Sequence, residues 1–127
     1  MPLDHFALTV PPSKFEEALS FYLKALAPLG YAERVRPVEG VVGLGVENSA
    51  PDFWIGIKEG VSEKSEHHIA FGTKDRAVVH EFHEEALKAG GTDNGSPGLR
   101  FYHPSYYAAF VRDPFGNNLE VVCHIPA

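Results

Sequence analysis

The sequence predicts an α+β fold of two βαβββ modules forming a curved mixed sheet, and three observations carry that prediction. A five-residue pattern occurs as His5-Phe6-Ala7-Leu8-Thr9 and again as His68-Ile69-Ala70-Phe71-Gly72. Each copy leads into a helical spacing of apolar residues and then into three strand-like runs. The correspondence also extends past the opening strands. Phe21, Ala25, Leu26 and Gly30 align with Phe82, Ala86, Leu87 and Gly91, and Asp52-Phe53-Trp54-Ile55 aligns with Asn118-Leu119-Glu120-Val121. Two units of one form argue for a duplicated supersecondary structure. One unit alone leaves a sheet face bare, whereas two packed side by side can curve into a shared concave surface where a ligand would sit.

The first module, about residues 1–58, opens with a buried strand over residues 4–10 that Pro11-Pro12 ends. Ser13 is placed to cap a helix, with Glu16 completing a capping box. Phe15, Ala18, Leu19, Tyr22, Leu23 and Leu26 keep helical spacing until Pro28 and Gly30. Strands are expected at Tyr31–Pro37, Val41–Glu47 and Phe53–Lys58, and the polar stretch 59–66 reads as a linker. The second module, about residues 67–127, repeats the order. His67–Thr73 is a strand, and Asp75 caps a helix carrying Val78, Val79, Phe82, Ala86 and Leu87. Gly90-Gly91 end that helix, and Thr92 to Gly98 read as a long loop. Strands follow at Leu99–Tyr102, Tyr106–Arg112 and Asn118–His124, the last two joined by the turn Asp113-Pro114-Phe115-Gly116.

Composition narrows the class of function. A chain of 127 residues with 44% hydrophobic residues suits one globular domain. The net charge of −6, without a lysine or arginine cluster, argues against nucleic acid and anionic membranes as partners. No apolar run approaches the roughly 18 residues of a membrane span. The single cysteine, Cys123, allows no intrachain disulfide, and MPLDHFALTV lacks the basic and apolar regions of a signal peptide. A cytoplasmic location is the expectation.

The candidate chemistry sits on the repeat. Strand alternation puts His5, Ala7 and Thr9 on one face and His68, Ala70 and Gly72 on its counterpart, each histidine above small neighbours. Glu120 lies in an otherwise apolar strand, where a carboxylate is costly to bury unless it is paired or bound to a metal. On a curled sheet, His5, His68 and Glu120 can converge as two imidazoles and one carboxylate, a set suited to Fe, Mn, Zn or Ni. Alternatively, the histidines are half-buried structural residues and Glu120 pairs with Arg100 or Arg112. His80 and His83 share a helix face but miss the zinc-protease spacing, because Glu84 stands where the second histidine is needed. They read as solvated residues. The stretch Arg100 to Tyr107 concentrates aromatic and polar donors that could line a pocket, with Arg100 fixing an anionic group. Trp54 is core or pocket wall.

The paired histidine strands, together with the run Tyr102 to Glu120, resemble the vicinal oxygen chelate superfamily of glyoxalase I, extradiol dioxygenases and bleomycin-resistance proteins. That resemblance implies ligands from the first and last strand of each unit, which fall on His5, Trp54, His68 and Glu120. Tryptophan does not ligate a metal in this way, so glyoxalase I activity itself is disfavoured. His5, His68 and Glu120 remain as the implied set for a divalent metal ion. Glu120, or a metal-bound water, is then the base, and Trp54, Arg100, His103 and Tyr107 shape the substrate pocket. The resemblance implies a small lyase or dioxygenase-like enzyme acting on an oxygen-chelating small molecule, and a homodimer. The alternative is a metal-free protein of bleomycin-resistance type that sequesters a small molecule.

Overall fold

The computed structural model describes residues 2–127, and in it the chain forms two compact units that divide between Glu63 and Lys64. In the first unit, strand β1 (Phe6–Val10) is followed by a 3-10 turn (Pro12–Lys14) and helix α1 (Phe15–Ala25). A second 3-10 turn (Ala27–Leu29) leads to β2 (Ala32–Val38), β3 (Val41–Gly45) and β4 (Phe53–Ile57). In the second unit, β5 (His68–Thr73) precedes α2 (Arg76–Lys88), then β6 (Thr92–Arg100), β7 (Tyr106–Arg112) and β8 (Asn118–Cys123). The sheets run β1-β4-β3-β2 and β5-β8-β7-β6, each with one parallel pair between its first and last strands. The fold is therefore α+β, built of two βαβββ modules that share one strand order. Among the described residues, no helix is long and apolar enough to cross a membrane.

In the first unit, alternation sorts the strands as their sequence requires. Leu8, Val10, Phe53 and Ile55 are buried, while Ala7 and Thr9 are exposed. Tyr22 of α1 packs on Phe53 with ring centroids 4.9 Å apart, which identifies the buried face as the helix side. Acidic Glu16 and Glu17 begin the helix and Lys24 ends it, each charge opposing the helix dipole favourably. Ser13, however, does not cap α1. Pro12 opens a 3-10 turn that contains Ser13, and the helix starts from Lys14 without a side-chain cap.

The second unit departs from expectation along Thr92–Arg100, which is an edge strand paired with β7 rather than a loop. Its turn-forming residues are tolerated because an edge strand needs hydrogen bonds on one side only. Register shifts between Asp93 and Gly95, and between Gly95 and Gly98, absorb the irregularity. A Cβ at Gly95 would lie 2.9 Å from the Phe110 ring, so glycine permits the close approach of the two strands. The expected strand over Leu99–Tyr102 ends at Arg100, and residues 101–105 form a turn. Asp75 caps α2 as expected, its carboxylate accepting from the Ala77 amide at 2.9 Å.

The turn after β7 is a closed hydrogen-bond network. Asp113 Oδ1 accepts from the amides of Phe115 at 2.8 Å and Asn117 at 2.9 Å, and Oδ2 accepts from Asn117 Nδ2 at 2.8 Å. Asn117 Oδ1 then accepts from Ser65 Oγ and from the His67 amide. Gly116 has φ of +106°, and a Cβ there would meet the Ser65 carbonyl at 2.8 Å. The turn thus clamps the segment entering β5 beside β8 and sets the pairing of His68 with Asn118.

Candidate functional site

Within the second unit, the parallel pairing of β5 with β8 puts Ala70 opposite Glu120. His68, two residues earlier, shares that face and leans across. His68 Nε2 and Glu120 Oε1 are 2.8 Å apart. Glu120 is 1% exposed, so its carboxylate depends on these partners rather than on bulk water. Its second oxygen, Oε2, accepts a hydrogen bond from the Tyr106 hydroxyl. Neither arginine considered for Glu120 serves it. Arg112 donates to the Gly116 carbonyl, and Arg100 donates to the carbonyls of Ser96, Gly98 and Leu99.

Antiparallel pairing of β7 with β8 places Phe110 opposite Glu120 and Ala108 opposite Val122. These three apolar residues pack together with Tyr106 against them, forming a floor beside the carboxylate. The Phe110 ring lies 6.1 Å from His68, and the Arg100 guanidinium sits 5.3 Å over it. Tyr106 is fixed by a set of rings. Tyr102 and His124 meet it edge-on at 5.1 Å, and His103 lies 6.0 Å away. Arg100 and His103 therefore border the His68–Glu120 pair through Phe110 and Tyr106.

Tyr107 lies on the opposite face. Its hydroxyl is 2.6 Å from His80 Nε2, and the Arg76 guanidinium lies 4.6 Å over its ring, both on α2. The tyrosine that reaches Glu120 is its neighbour, Tyr106. A usable signal was present, because Asp113 to Asn117 form a tight turn that pairs Arg112 with Asn118. Counting back by twos from Arg112 puts Phe110, Ala108 and Tyr106 on the Glu120 side. The helix histidines also differ from expectation. His83 Nε2 is 2.9 Å from Asp93 Oδ1, so half-buried His83 and solvent-exposed His80 each tie α2 to the sheet. This contact, with the Gly95 amide, holds the Asp93 carboxyl below its ordinary range.

His5 and Trp54 belong to the first unit. There Ala7 pairs with Trp54, the same register position that Ala70 and Glu120 hold in the second. Trp54 is thus the counterpart of Glu120, and His5 that of His68. A Cβ at Gly43 would lie 3.0 Å from the Trp54 ring, so the indole packs close against Gly43. His5 Nδ1 is 2.6 Å from Asp4 Oδ1. Among the described residues, no group of three or more histidine, cysteine, aspartate or glutamate side chains is clustered as a metal cage. The 2.8 Å between His68 Nε2 and Glu120 Oε1 is a hydrogen-bond separation that is also close to the spacing of two ligands on one ion. Two adjacent ligands each about 2.1 Å from a metal stand about 3 Å apart.

Burial raises the Tyr106 pKa to about 12, with the hydrogen bond to Glu120 and its charge adding to the effect. The hydroxyl is therefore a proton donor throughout the neutral range. Because this folded value lies above the ordinary 10.0, the associated stability is present below pH 10 and is lost as pH rises toward 12. In a tyrosinate absorbance titration, the Tyr106 phase is expected to fall near pH 12 and to move downward in Glu120→Gln, ahead of Tyr31, which burial and Asp52 raise further.

Comparison with known proteins places the chain. The sequence profile of the Glyoxalase/Bleomycin resistance protein/Dioxygenase superfamily matches residues 3–121. No curated protein matches it. Among solved structures, a glyoxalase/bleomycin resistance protein from Albidiferax ferrireducens is similar, with TM-score 0.74 and 22% identity over 99% of this chain and 100% of that one. A glyoxalase/bleomycin resistance protein/dioxygenase family enzyme from Burkholderia phytofirmans has TM-score 0.70 and 18% identity, covering 97% of this chain and 98% of its own. The bleomycin resistance determinant encoded on transposon Tn5 has TM-score 0.60 and 20% identity, covering 94% and 97%. At these identities the structural likenesses bear on the fold.

Proposed function

We propose that this chain, which belongs to the Glyoxalase/Bleomycin resistance protein/Dioxygenase superfamily, is a small divalent-metal-dependent enzyme acting on an oxygen-chelating small molecule. The observation that supports this most is the buried Glu120 carboxylate set 2.8 Å from His68 Nε2 on the helix-free face of its sheet. His68 and Glu120 would hold the ion, with Fe, Mn, Zn and Ni all compatible with such donors. His5 enters as the third donor through the resemblance of its strand. When bound, the ion supplies Lewis-acid polarisation of neighbouring substrate oxygens. Glu120 is the group placed to take a substrate proton, since one of its oxygens faces the exposed His68. Phe110 offers an apolar platform, Arg100 lies over that ring, and His103 and Trp54 complete the proposed substrate contacts. A homodimer and a cytoplasmic location are carried with the proposal.

The test is metal content after purification without chelator, comparing the parent with His68→Ala. The parent is expected to retain a substantial fraction of an equivalent and His68→Ala to lose it. Less than about one tenth of an equivalent in the parent, with no binding on adding Fe(II), Mn or Zn, overturns the proposal.

One observation favours a second reading, a metal-free binding protein. Both Glu120 oxygens already accept hydrogen bonds from the protein, so the carboxylate is satisfied without an ion. That reading expects chelated protein to change Trp54 fluorescence on adding a small aromatic or cationic compound, and His5→Ala to keep the parent affinity.

A further inference from the structure

We infer that Tyr106 is a positioning residue that holds one oxygen of Glu120 so that the other is presented with His68. The inference rests on the proposed use of the His68–Glu120 pair, and it goes beyond it by assigning a role to a residue outside the ligand set.

A glutamate side chain ends in a torsion with broad preferences, so a carboxylate left to itself can turn either oxygen toward a neighbour. Here the two oxygens have distinct partners. Oε1 meets His68 Nε2, and Oε2 accepts from the Tyr106 hydroxyl. Tyr106 in turn has little freedom. Its backbone pairs with Arg100 across the β6–β7 ladder, and its amide donates to the His103 carbonyl. Tyr102 and His124 confront its ring at 88° and 90°. Its inner edge packs against the Ala108, Phe110 and Val122 cluster. A ring held on several sides fixes where its hydroxyl points, and that hydroxyl fixes the carboxylate plane.

The consequence is a glutamate that engages its ligand through Oε1 alone. A carboxylate that loses such a partner can rotate or bind through both oxygens, and outer partners of metal ligands typically contribute roughly 10–100-fold to affinity. Tyr106 acts in this way through Glu120 and not by touching the ligand.

Tyr106→Phe tests the inference, because it keeps the ring and removes only the hydroxyl. Two readouts are taken on parent and variant. One is the Glu120 carboxylate stretch, isolated as the infrared difference from Glu120→Gln in metal-free protein. The other is the Kd for Mn, with His68→Ala as reference. The expected result is a shifted carboxylate band in Tyr106→Phe and a Kd weakened about tenfold or more. A band unchanged from the parent overturns the positioning role, whatever the metal result. A shifted band with parent-like Mn affinity, in a protein whose binding His68→Ala abolishes, also overturns it. A shifted band in a parent that binds no Mn supports the positioning of Glu120 and removes the metal-dependent reading instead.

Discussion

Asp113→Ala is expected to lower stability by about 3 kcal/mol, since three hydrogen bonds to a buried carboxylate are lost at roughly 1 kcal/mol or more each. Asp113 is 4% exposed and Asn117 is fully buried, so water cannot replace the bonds to the amides of Phe115 and Asn117 or to Asn117 Nδ2. The damage extends beyond the turn. Without the Asp113 carboxylate, Asn117 loses two of the bonds that orient it to accept from Ser65 and the His67 amide. The strand that carries His68 then loses the clamp that sets it beside β8. Thermal unfolding should fall by about 10 °C for a chain of this length. Hydrogen exchange should show β5 opening earlier than the β7–β8 ladder. A fall of less than about 3 °C would show that the turn is supported by the strands and not by its network.

The second large effect separates function from stability at Glu120. Glu120→Leu is expected to stay within about 1 kcal/mol of the parent, because it replaces a desolvated carboxylate by a side chain suited to the Phe110 and Val122 surroundings. His68 is 55% exposed at its side chain and Tyr106 is only half-buried, so water can take over both hydrogen bonds. On the proposed metal-dependent function, metal affinity should nevertheless drop about 100-fold with the carboxylate gone. Chemical denaturation and metal titration on the same preparation check both halves. A loss of more than about 3 kcal/mol would mark Glu120 as a structural support whose burial needs no ligand to account for it.

The contrast between these two acidic residues follows from their neighbours. Asp113 accepts mostly from backbone amides of its own turn. Glu120 accepts from two side chains that reach across strands, His68 at 52 residues' separation and Tyr106 at 14. Local partners read as structure. Convergent partners from distant strands, on a face without a helix, read as a site.

The sequence by itself determined the duplicated βαβββ order, the sides of β1, β5 and β8, the cap at Asp75 and the equivalence of His5 with His68 and of Trp54 with Glu120. Each of these follows from local periodicity or from the internal repeat, which need no knowledge of partners. The tertiary structure decided the rest. Thr92–Arg100 became a strand because β7 offered it a ladder, against its own turn-forming composition. Ser13 lost its capping role to the 3-10 turn that Pro12 opened. Tyr106 rather than Tyr107 reached Glu120 because the β7–β8 register, set by the Asp113–Asn117 turn, decides which of two adjacent tyrosines faces the carboxylate. Adjacent residues on a strand differ only in side, and the register with the neighbouring strand chooses that side.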